Sequence, residues 1–179
     1  MISGDILLEA KNLKKYFPIK KGLFGVSKSY VKAVDDVSLQ VYKGETLGIV
    51  GESGCGKSTT GRLLIKLLDA TDGQVIYKDK DISSYSKKDL RHLRKDLQII
   101  FQDPYSSLNP RMTVGDIIEE PLVNFKLLGS SVERKKRVAE LLDIVGLPKN
   151  AMNRFPHEFS GGQRQRIGIA RALAVNPEL

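Results

Sequence analysis

The chain has 179 residues, of which 41% are hydrophobic and 28% are charged. This length and composition are those of one globular domain, and they exclude a disordered, collagen-like or disulfide-stabilised chain. The formal charge of +8 favours an anionic partner without choosing among nucleic acid, anionic lipid and phosphate. The single cysteine, Cys55, excludes an intramolecular disulfide. No apolar run approaches the ~20 residues of a membrane span, so we expect any membrane contact to be peripheral.

Hydrophobic periodicity predicts an α/β fold with a helical insertion. The first half contains, in chain order, strands near 7–13 and 37–41 separated by a glycine- and lysine-rich loop at 18–29, a buried strand at 45–50, a helix at 56–68 and a strand at 73–77. The second half contains a charged helix at 87–96, a buried strand at 97–101, a Pro- and Ser-rich turn at 104–110, helices at 114–125 and 132–145, a loop at 156–162 and a helix at 163–175. A strand, glycine loop, helix and strand in succession predict a βαβ unit.

One segment matches the phosphate-binding pattern G-x-x-x-x-G-K-[ST] in full. Its residues are Gly51, Glu52, Ser53, Gly54, Cys55, Gly56, Lys57 and Ser58. Its glycines allow successive N–H groups to point at one anion, and the helix that follows adds its positive end. We expect Lys57 to reach the outer phosphates of a nucleotide, Ser58 to bind Mg²⁺ and Thr59 to contact the inner phosphate.

Two blander interpretations of this loop stay open at the level of sequence. The glycines could form a strand-to-helix turn that binds no ligand. Cys55 could be a small loop residue without a chemical role, or a thiol whose ionised form is favoured by Lys57 and by the positive end of the helix.

A second glycine-bearing helix start follows at Phe159, Ser160, Gly161, Gly162 and Gln163. A hydroxyl at the cap and two glycines over the first N–H groups again suit an anion. With the continuation to Leu173, this segment resembles the signature of the ATP-binding-cassette family, which usually begins with Leu where Phe159 stands. The resemblance covers most of the chain and implies a P-loop NTPase (RecA-like) core with an antiparallel β subdomain and an inserted helical subdomain. It divides the chain into a nucleotide-binding core and β subdomain (1–102), a helical subdomain (103–159) and a signature helix (160–179).

The segment from Phe101 to Pro110 looks like the glutamine loop of oligopeptide and dipeptide importer ATPases. By that similarity, Tyr16 would stack on adenine, although a core aromatic at a strand end is the alternative. Gln102 would touch Mg²⁺ or the attacking water and act in catalysis with Lys57, although it could be a plain polar residue after a strand. The basic segments at 87–95 and 134–137 could be helix faces that contact only water, or they could contact anionic lipid head groups.

The family resemblance also implies partners. Its ATP-binding chains dimerise head to tail, so Ser160, the N–H groups of Gly161 and Gly162, and Gln163 would meet the ATP of a second subunit, a homo- or heterodimer partner. The helical subdomain would receive integral-membrane permease subunits at the cytoplasmic face of the membrane, indirectly serving a solute-binding protein. No nucleic-acid partner is expected.

The family places a Mg²⁺-binding aspartate, a glutamate that activates water and a switch histidine after the signature helix. The given sequence stops at Asn176, Pro177, Glu178 and Leu179, about where the strand with these carboxylates should begin, and neither His92 nor His157 is placed as that histidine. We therefore expect this chain to be the first part of a longer ATPase and inactive alone. Two other readings stay open: a soluble cassette ATPase of translation or DNA repair, and a non-hydrolysing binding module. Dipeptides, longer peptides and nickel stay open as cargo.

Overall fold

The computed structural model describes residues 4–19 and 29–179. Most of the loop predicted at 18–29 therefore lies outside the described residues. The chain divides into two compact units, residues 1–90 and 91–179. The three functional segments predicted at 1–102, 103–159 and 160–179 stay a prediction.

The first unit is built on an antiparallel sheet with strand order β2-β1-β3-β4. Its elements are β1 (Ile6–Pro18), β2 (Tyr30–Tyr42), α1 (Lys57–Leu64), β3 (Asp72–Tyr77) and β4 (Lys80–Asp81). The central strand β1 pairs Leu8 with Val41 on one side and with Tyr77 on the other. Leu8 and Ala10 are almost completely buried, because β1 has a neighbour on both edges and the alternation of the strand turns both side chains to the same face. Leu13 is buried as well, after an irregularity in the β1–β2 register between Ala10 and Leu13.

The second unit is helical. Its elements are α2 (Lys87–Asp96), which begins in the first unit, α3 (Pro104–Ser107), α4 (Val114–Asn124), α5 (Ser131–Ile144), 3₁₀ turns at Lys149–Asn153 and Pro156–Glu158, and α6 (Gly161–Leu173). The helices α4, α5 and α6 each begin with a capping box, from Thr113, Ser130 and Ser160 respectively. Their apolar faces share one core that includes Ile117, Leu141 and Ile167. The predicted helices at 87–96, 114–125, 132–145 and 163–175 are confirmed to within two residues at each end.

The prediction of a buried strand at 45–50 is wrong, and with it the parallel βαβ unit. These residues are extended but belong to no strand, and Leu47, Ile49 and Val50 are 40%, 43% and 96% exposed. An apolar run becomes an interior strand only when neighbouring strands satisfy its N–H and C=O groups. Among the described residues, no strand pairs with this run.

The strand predicted at 97–101 is also wrong, although its first residues have a partner. Leu97 is buried, whereas Ile100 and Phe101 are 46% and 39% exposed. The Gln98 N–H donates to the Leu179 carbonyl at 2.9 Å, and the Glu178 N–H donates to the Asp96 carbonyl at 2.9 Å. Two such bonds hold the start of the segment in place, but they are too few to make a strand.

Candidate nucleotide-binding site

The phosphate loop folds around the ammonium group of Lys57. Its Nζ donates to the carbonyl oxygens of Gly51 at 2.8 Å and Glu52 at 2.6 Å, and lies 3.7 Å from the Sγ of Cys55. The positive charge is therefore held at the loop, beside the first turn of α1. An exposed Ser58 follows it, and Thr59 is half-buried. This is the donor set that a phosphate chain with a bound cation requires.

The surrounding backbone requires glycine at position 56 of the loop. Gly56 has φ of 100°, and a Cβ there would lie 2.2 Å from the Ala33 carbonyl oxygen. This close approach of backbone to backbone leaves no room for a side chain, so the loop geometry and the sequence pattern have the same cause at Gly56. A Cβ at Gly51 would lie 2.7 Å from the Sγ of Cys55, which is a side-chain atom.

The first turn of α1 has no side-chain cap and no acidic residue among the described residues. Gly56 is the N-cap, and its carbonyl accepts from the N–H of Thr60 at 2.8 Å and from its Oγ1 at 3.1 Å. The earlier N–H groups of the helix are left without an intrahelical acceptor, as at every helix start. Together with the helix dipole, they provide a positive site that suits an anion.

Tyr16 on β1 is held by a small polar cluster. Its hydroxyl donates to Asp35 Oδ1, and its N–H donates to Thr71 Oγ1 at 3.0 Å. Lys32 forms an ion pair with Asp35 at 3.0 Å, and its Nζ lies 5.2 Å from the centroid of the Tyr16 ring. The hydrogen bond to Asp35 raises the pKa of Tyr16. The Tyr16 hydroxyl and the Lys32 ammonium lower the pKa of Asp35.

The strand β2 joins this cluster to the phosphate loop. Tyr16 pairs with Lys32 in the β1–β2 register, and the next residue, Ala33, is the one whose carbonyl approaches Gly56. The first unit thus brings the predicted adenine-stacking residue and the phosphate loop to the same stretch of β2. Sequence reasoning missed Lys32 and Asp35, because nothing in the local pattern marks them as neighbours of Tyr16.

The signature segment forms the start of α6 in the second unit. Ser160 Oγ accepts from the Gln163 N–H at 3.3 Å, and Gln163 Oε1 accepts from the Ser160 N–H at 3.0 Å. Gln163 is therefore part of a capping box. Gly161 and Gly162 are exposed, and a Cβ on either would meet nothing within 4 Å. Packing within the described chain does not explain why both positions are glycine.

Gln102 is exposed at the end of the extended segment 97–101. The preceding carbonyl, of Phe101, accepts from Gln165 Nε2 on α6 at 3.4 Å. The residue that follows, Asp103, caps α3 by accepting from the Tyr105 N–H at 2.9 Å. Gln102 and the signature segment therefore belong to the second unit, whereas the phosphate loop and Tyr16 belong to the first.

Two observations on the described residues concern metal binding and the membrane. These residues contain no group of three or more His, Cys, Asp or Glu side chains that could hold a metal ion. A nucleotide-bound Mg²⁺ needs no such group, because phosphate oxygens and water supply most of its ligands. No helix in the described ranges is long and apolar enough to cross a membrane.

The chain is similar to known proteins in sequence and in fold. The family described as ABC transporter matches residues 34–179. The oligopeptide transport ATP-binding protein OppF of Bacillus subtilis (strain 168) is 59% identical over 173 residues, which are 96% of this chain and 54% of that protein. The oligopeptide transport ATP-binding protein AppF of the same organism is 56% identical over 176 residues, 98% of this chain and 53% of that protein.

Solved structures that resemble this chain include an ATP-binding cassette and a part of an ABC transporter complex. The cassette MJ0796, in a dimeric post-hydrolysis state bound to ADP and Pi, has a TM-score of 0.83 at 34% identity and covers 96% of this chain and 71% of that one. CbiO1 from Clostridium perfringens, part of an ABC transporter complex, has a TM-score of 0.76 at 26% identity and covers 97% of this chain and 63% of that one. The predicted α/β P-loop fold class is confirmed. The chain spans about half the length of its curated relatives, and it belongs to the ABC transporter family.

Proposed function

We propose that this chain is the ATP-binding part of an ABC importer subunit that powers the import of peptides. The observation that carries the proposal is the phosphate loop, where Lys57 lies over loop carbonyls at the start of an uncapped helix within the described residues. Relatives named as oligopeptide transport ATP-binding proteins support a peptide cargo. Because the chain spans about half of those relatives, we assign transport and hydrolysis to the full-length protein.

The residues of the loop fit a nucleotide with its magnesium ion. Lys57 would exchange its bonds to the Gly51 and Glu52 carbonyls for the more strongly negative oxygens of the outer phosphates. The Ser58 hydroxyl would hold Mg²⁺, and Thr59 would contact the inner phosphate. When bound, Mg²⁺ would neutralise negative charge on the phosphates. Gln102 would contact Mg²⁺ or orient the attacking water.

Tyr16 would provide the platform for adenine. Its ring is already oriented by Asp35, and the Ala33–Gly56 contact keeps β2 next to the phosphate loop. Aromatic rings bind a base through stacking without needing to change their own hydrogen bonds. The Lys32 ammonium near the Tyr16 ring would contribute a positive charge to the same adenine-binding surface.

The signature segment would close over ATP held by a second subunit. Open space around Gly161 and Gly162 supports this role, since their lack of side chains would admit phosphate oxygens close to the backbone. Two structures of one similar cassette, MJ0796, are described as dimeric and support assembly in pairs. Permease subunits, and through them a solute-binding protein, would be the other partners, with the subunit peripheral at the cytoplasmic face of the membrane.

The catalytic aspartate and glutamate and the switch histidine would come from the part of the full-length protein that its relatives have and this chain does not span. The extended segments 45–50 and 97–101 support this, because both expose apolar side chains that interior strands would bury.

Transport by the full-length protein tests the proposal. The subunit would be reconstituted with its permease and solute-binding protein in vesicles, and uptake of labelled dipeptide, longer peptide and nickel would be compared with and without ATP. We expect ATP-dependent peptide uptake that Lys57→Met abolishes and that Lys11→Met, which removes an exposed charge on β1, leaves intact. ATP-dependent uptake of nickel alone, or ATP hydrolysis that drives no peptide uptake, would contradict it.

A further inference from the structure

Helix α6 contacts the glutamine-loop segment, defined here as residues 101–107, at three places. The contacts are Gln165 Nε2 to the Phe101 carbonyl at 3.4 Å, the Arg164 guanidinium to the Tyr105 ring at 3.9 Å from its centroid, and Arg171 Nη1 to the Ser107 carbonyl at 2.7 Å. They fall at the beginning, the middle and the end of the segment. The segment that contains Gln102 is therefore attached to the helix that begins with the signature.

Arg164 connects the same ring to the turn before the signature. Its Nε donates to the Pro156 carbonyl at 2.7 Å, and its Nη2 donates to the His157 carbonyl at 3.2 Å. Its own N–H donates to the Ser160 carbonyl at 2.9 Å. One guanidinium thus touches the Tyr105 ring on one side and the signature turn, residues 156–160, on the other.

The burial of Arg164 makes these contacts interdependent. The residue is only 7% exposed, and its hydrogen-bond acceptors within the described chain are carbonyl oxygens. A buried cation that loses one partner keeps the cost of its desolvation, so the remaining partners tend to move with it. Tyr105, in contrast to the buried Arg164, is 68% exposed, and the guanidinium contacts one face of its ring.

We propose that Arg164 is a positioning residue that couples the glutamine-loop segment to the signature turn through Tyr105. A displacement of the Tyr105 ring shifts the guanidinium, and the guanidinium carries the turn that presents Ser160. By thermodynamic reciprocity, fixing Ser160 against an anion also restrains the segment around Gln102. The inference rests on the proposed function, because only there do Gln102 and Ser160 act on nucleotide.

The first test uses no nucleotide, so it is independent of the proposed function. Amide hydrogen exchange at residues 157–163 would be measured in the full-length protein with Tyr105→Ala and Tyr105→Phe. We expect exchange about tenfold faster in Tyr105→Ala, the size of a lost cation–π contact, and about unchanged in Tyr105→Phe, which keeps the ring. Equal exchange in Tyr105→Ala and in the unaltered protein would overturn the proposal. Because Tyr105 is exposed, its replacement keeps the fold.

The second test separates positioning from nucleotide binding. In the full-length protein, Arg164→Gln and Tyr105→Ala are each expected to lower kcat for ATP about tenfold while the ATP affinity of the phosphate loop stays unchanged. The double variant is expected to be no worse than Arg164→Gln alone, because that variant already lacks the contact with the Tyr105 ring. Arg164→Lys should not restore kcat, since an ammonium cannot bond two carbonyls and stack at once.

The kcat experiment needs two references, a matched control variant and the unaltered full-length protein. Arg166→Gln removes an exposed arginine of the same helix, whose longer contacts are to the Val145 and Gly146 carbonyls at 3.4 Å, and it should keep full activity. Losses that multiply in the double variant, or equal losses in Arg166→Gln, would overturn the coupling. An unaltered full-length protein that does not hydrolyse ATP would instead refute the proposed function, and the exchange experiment would still test the coupling.

Discussion

Helices α1 and α6 differ in how their first N–H groups, which have no acceptor within the helix, are capped. At α1, Gly56 offers no side-chain cap in the described chain, and Lys57 adds a positive charge. At α6, Ser160 and Gln163 cap the helix reciprocally. The start of α1 is therefore suited to bind an anion, whereas the start of α6 has its own cap and is stable without one. Its serine keeps a hydroxyl proton that it can donate elsewhere.

We expect the largest loss of activity when the positive charge of Lys57 at the start of α1 is removed. Lys57→Met should reduce ATP hydrolysis by the full-length protein by about 10²-fold or more, because a donor aimed at phosphate charge has no substitute in the loop. Steady-state phosphate release measures the effect, with Lys11→Met as the control. Activity within about threefold of the unaltered protein would remove Lys57 from the machinery.

Matched glycine replacements separate the two helix starts by stability. Gly56→Ala should lower the free energy of unfolding by about 2 kcal/mol or more, because φ is positive and the Cβ meets the Ala33 carbonyl. Gly161→Ala should change it by less than about 1 kcal/mol, because nothing lies near the added Cβ. Urea unfolding of the full-length variants measures both. Equal destabilisation would contradict the distinction.

Two serine caps separate stability from function. Ser160→Ala and Ser130→Ala each remove the same kind of capping box, so each should cost about 1 kcal/mol in the free energy of unfolding. Only Ser160→Ala should also weaken ATP-driven association of subunits, by about tenfold, because its hydroxyl would bond a charged phosphate. Sedimentation with and without ATP checks this. Similar association in both variants would mean that Ser160 is a cap alone.

The smallest effect concerns pH near Tyr16. The Tyr16 hydroxyl and Lys32 hold the pKa of Asp35 below its ordinary value of 3.8. A lowered pKa in the folded state means that this contribution to stability is present above about pH 4 and is lost as pH falls through the folded pKa. In Tyr16→Phe, carboxyl titration by NMR should show the pKa of Asp35 moving up towards 3.8. No movement would show that Tyr16 does not act on this carboxylate.

Local signals predicted the helices α2, α4, α5 and α6 to within two residues at each end, whereas α1 ends at Leu64, four residues before the end predicted at 68. Capping serines and threonines three residues before an acid or amide mark where α4, α5 and α6 begin, and such boxes can be identified from a short window of sequence. The glycine pattern of the phosphate loop also reflects local geometry, as the contact of Gly56 with Ala33 illustrates.

Pairing between distant residues could not be predicted in the same way. The runs at 45–50 and 97–101 have the apolar composition of interior strands, but strand formation depends on partners that composition does not reveal. The Lys32–Asp35–Tyr16 cluster and the Arg164–Tyr105 stack also join separate elements. One signal was available for Arg164: it lies three residues before Ile167, which is buried, and so on the inward face of α6.

The most direct test of the contrast between the two helix starts is a nucleotide titration of separated full-length subunits, comparing Lys57→Met with Ser160→Ala. A fluorescent ATP analogue reports the dissociation constant without requiring hydrolysis or a second subunit. We expect Lys57→Met to weaken binding by about 10²-fold or more, while Ser160→Ala stays within about twofold of the unaltered protein. Equal weakening in both variants, or weakening by Ser160→Ala alone, would contradict it.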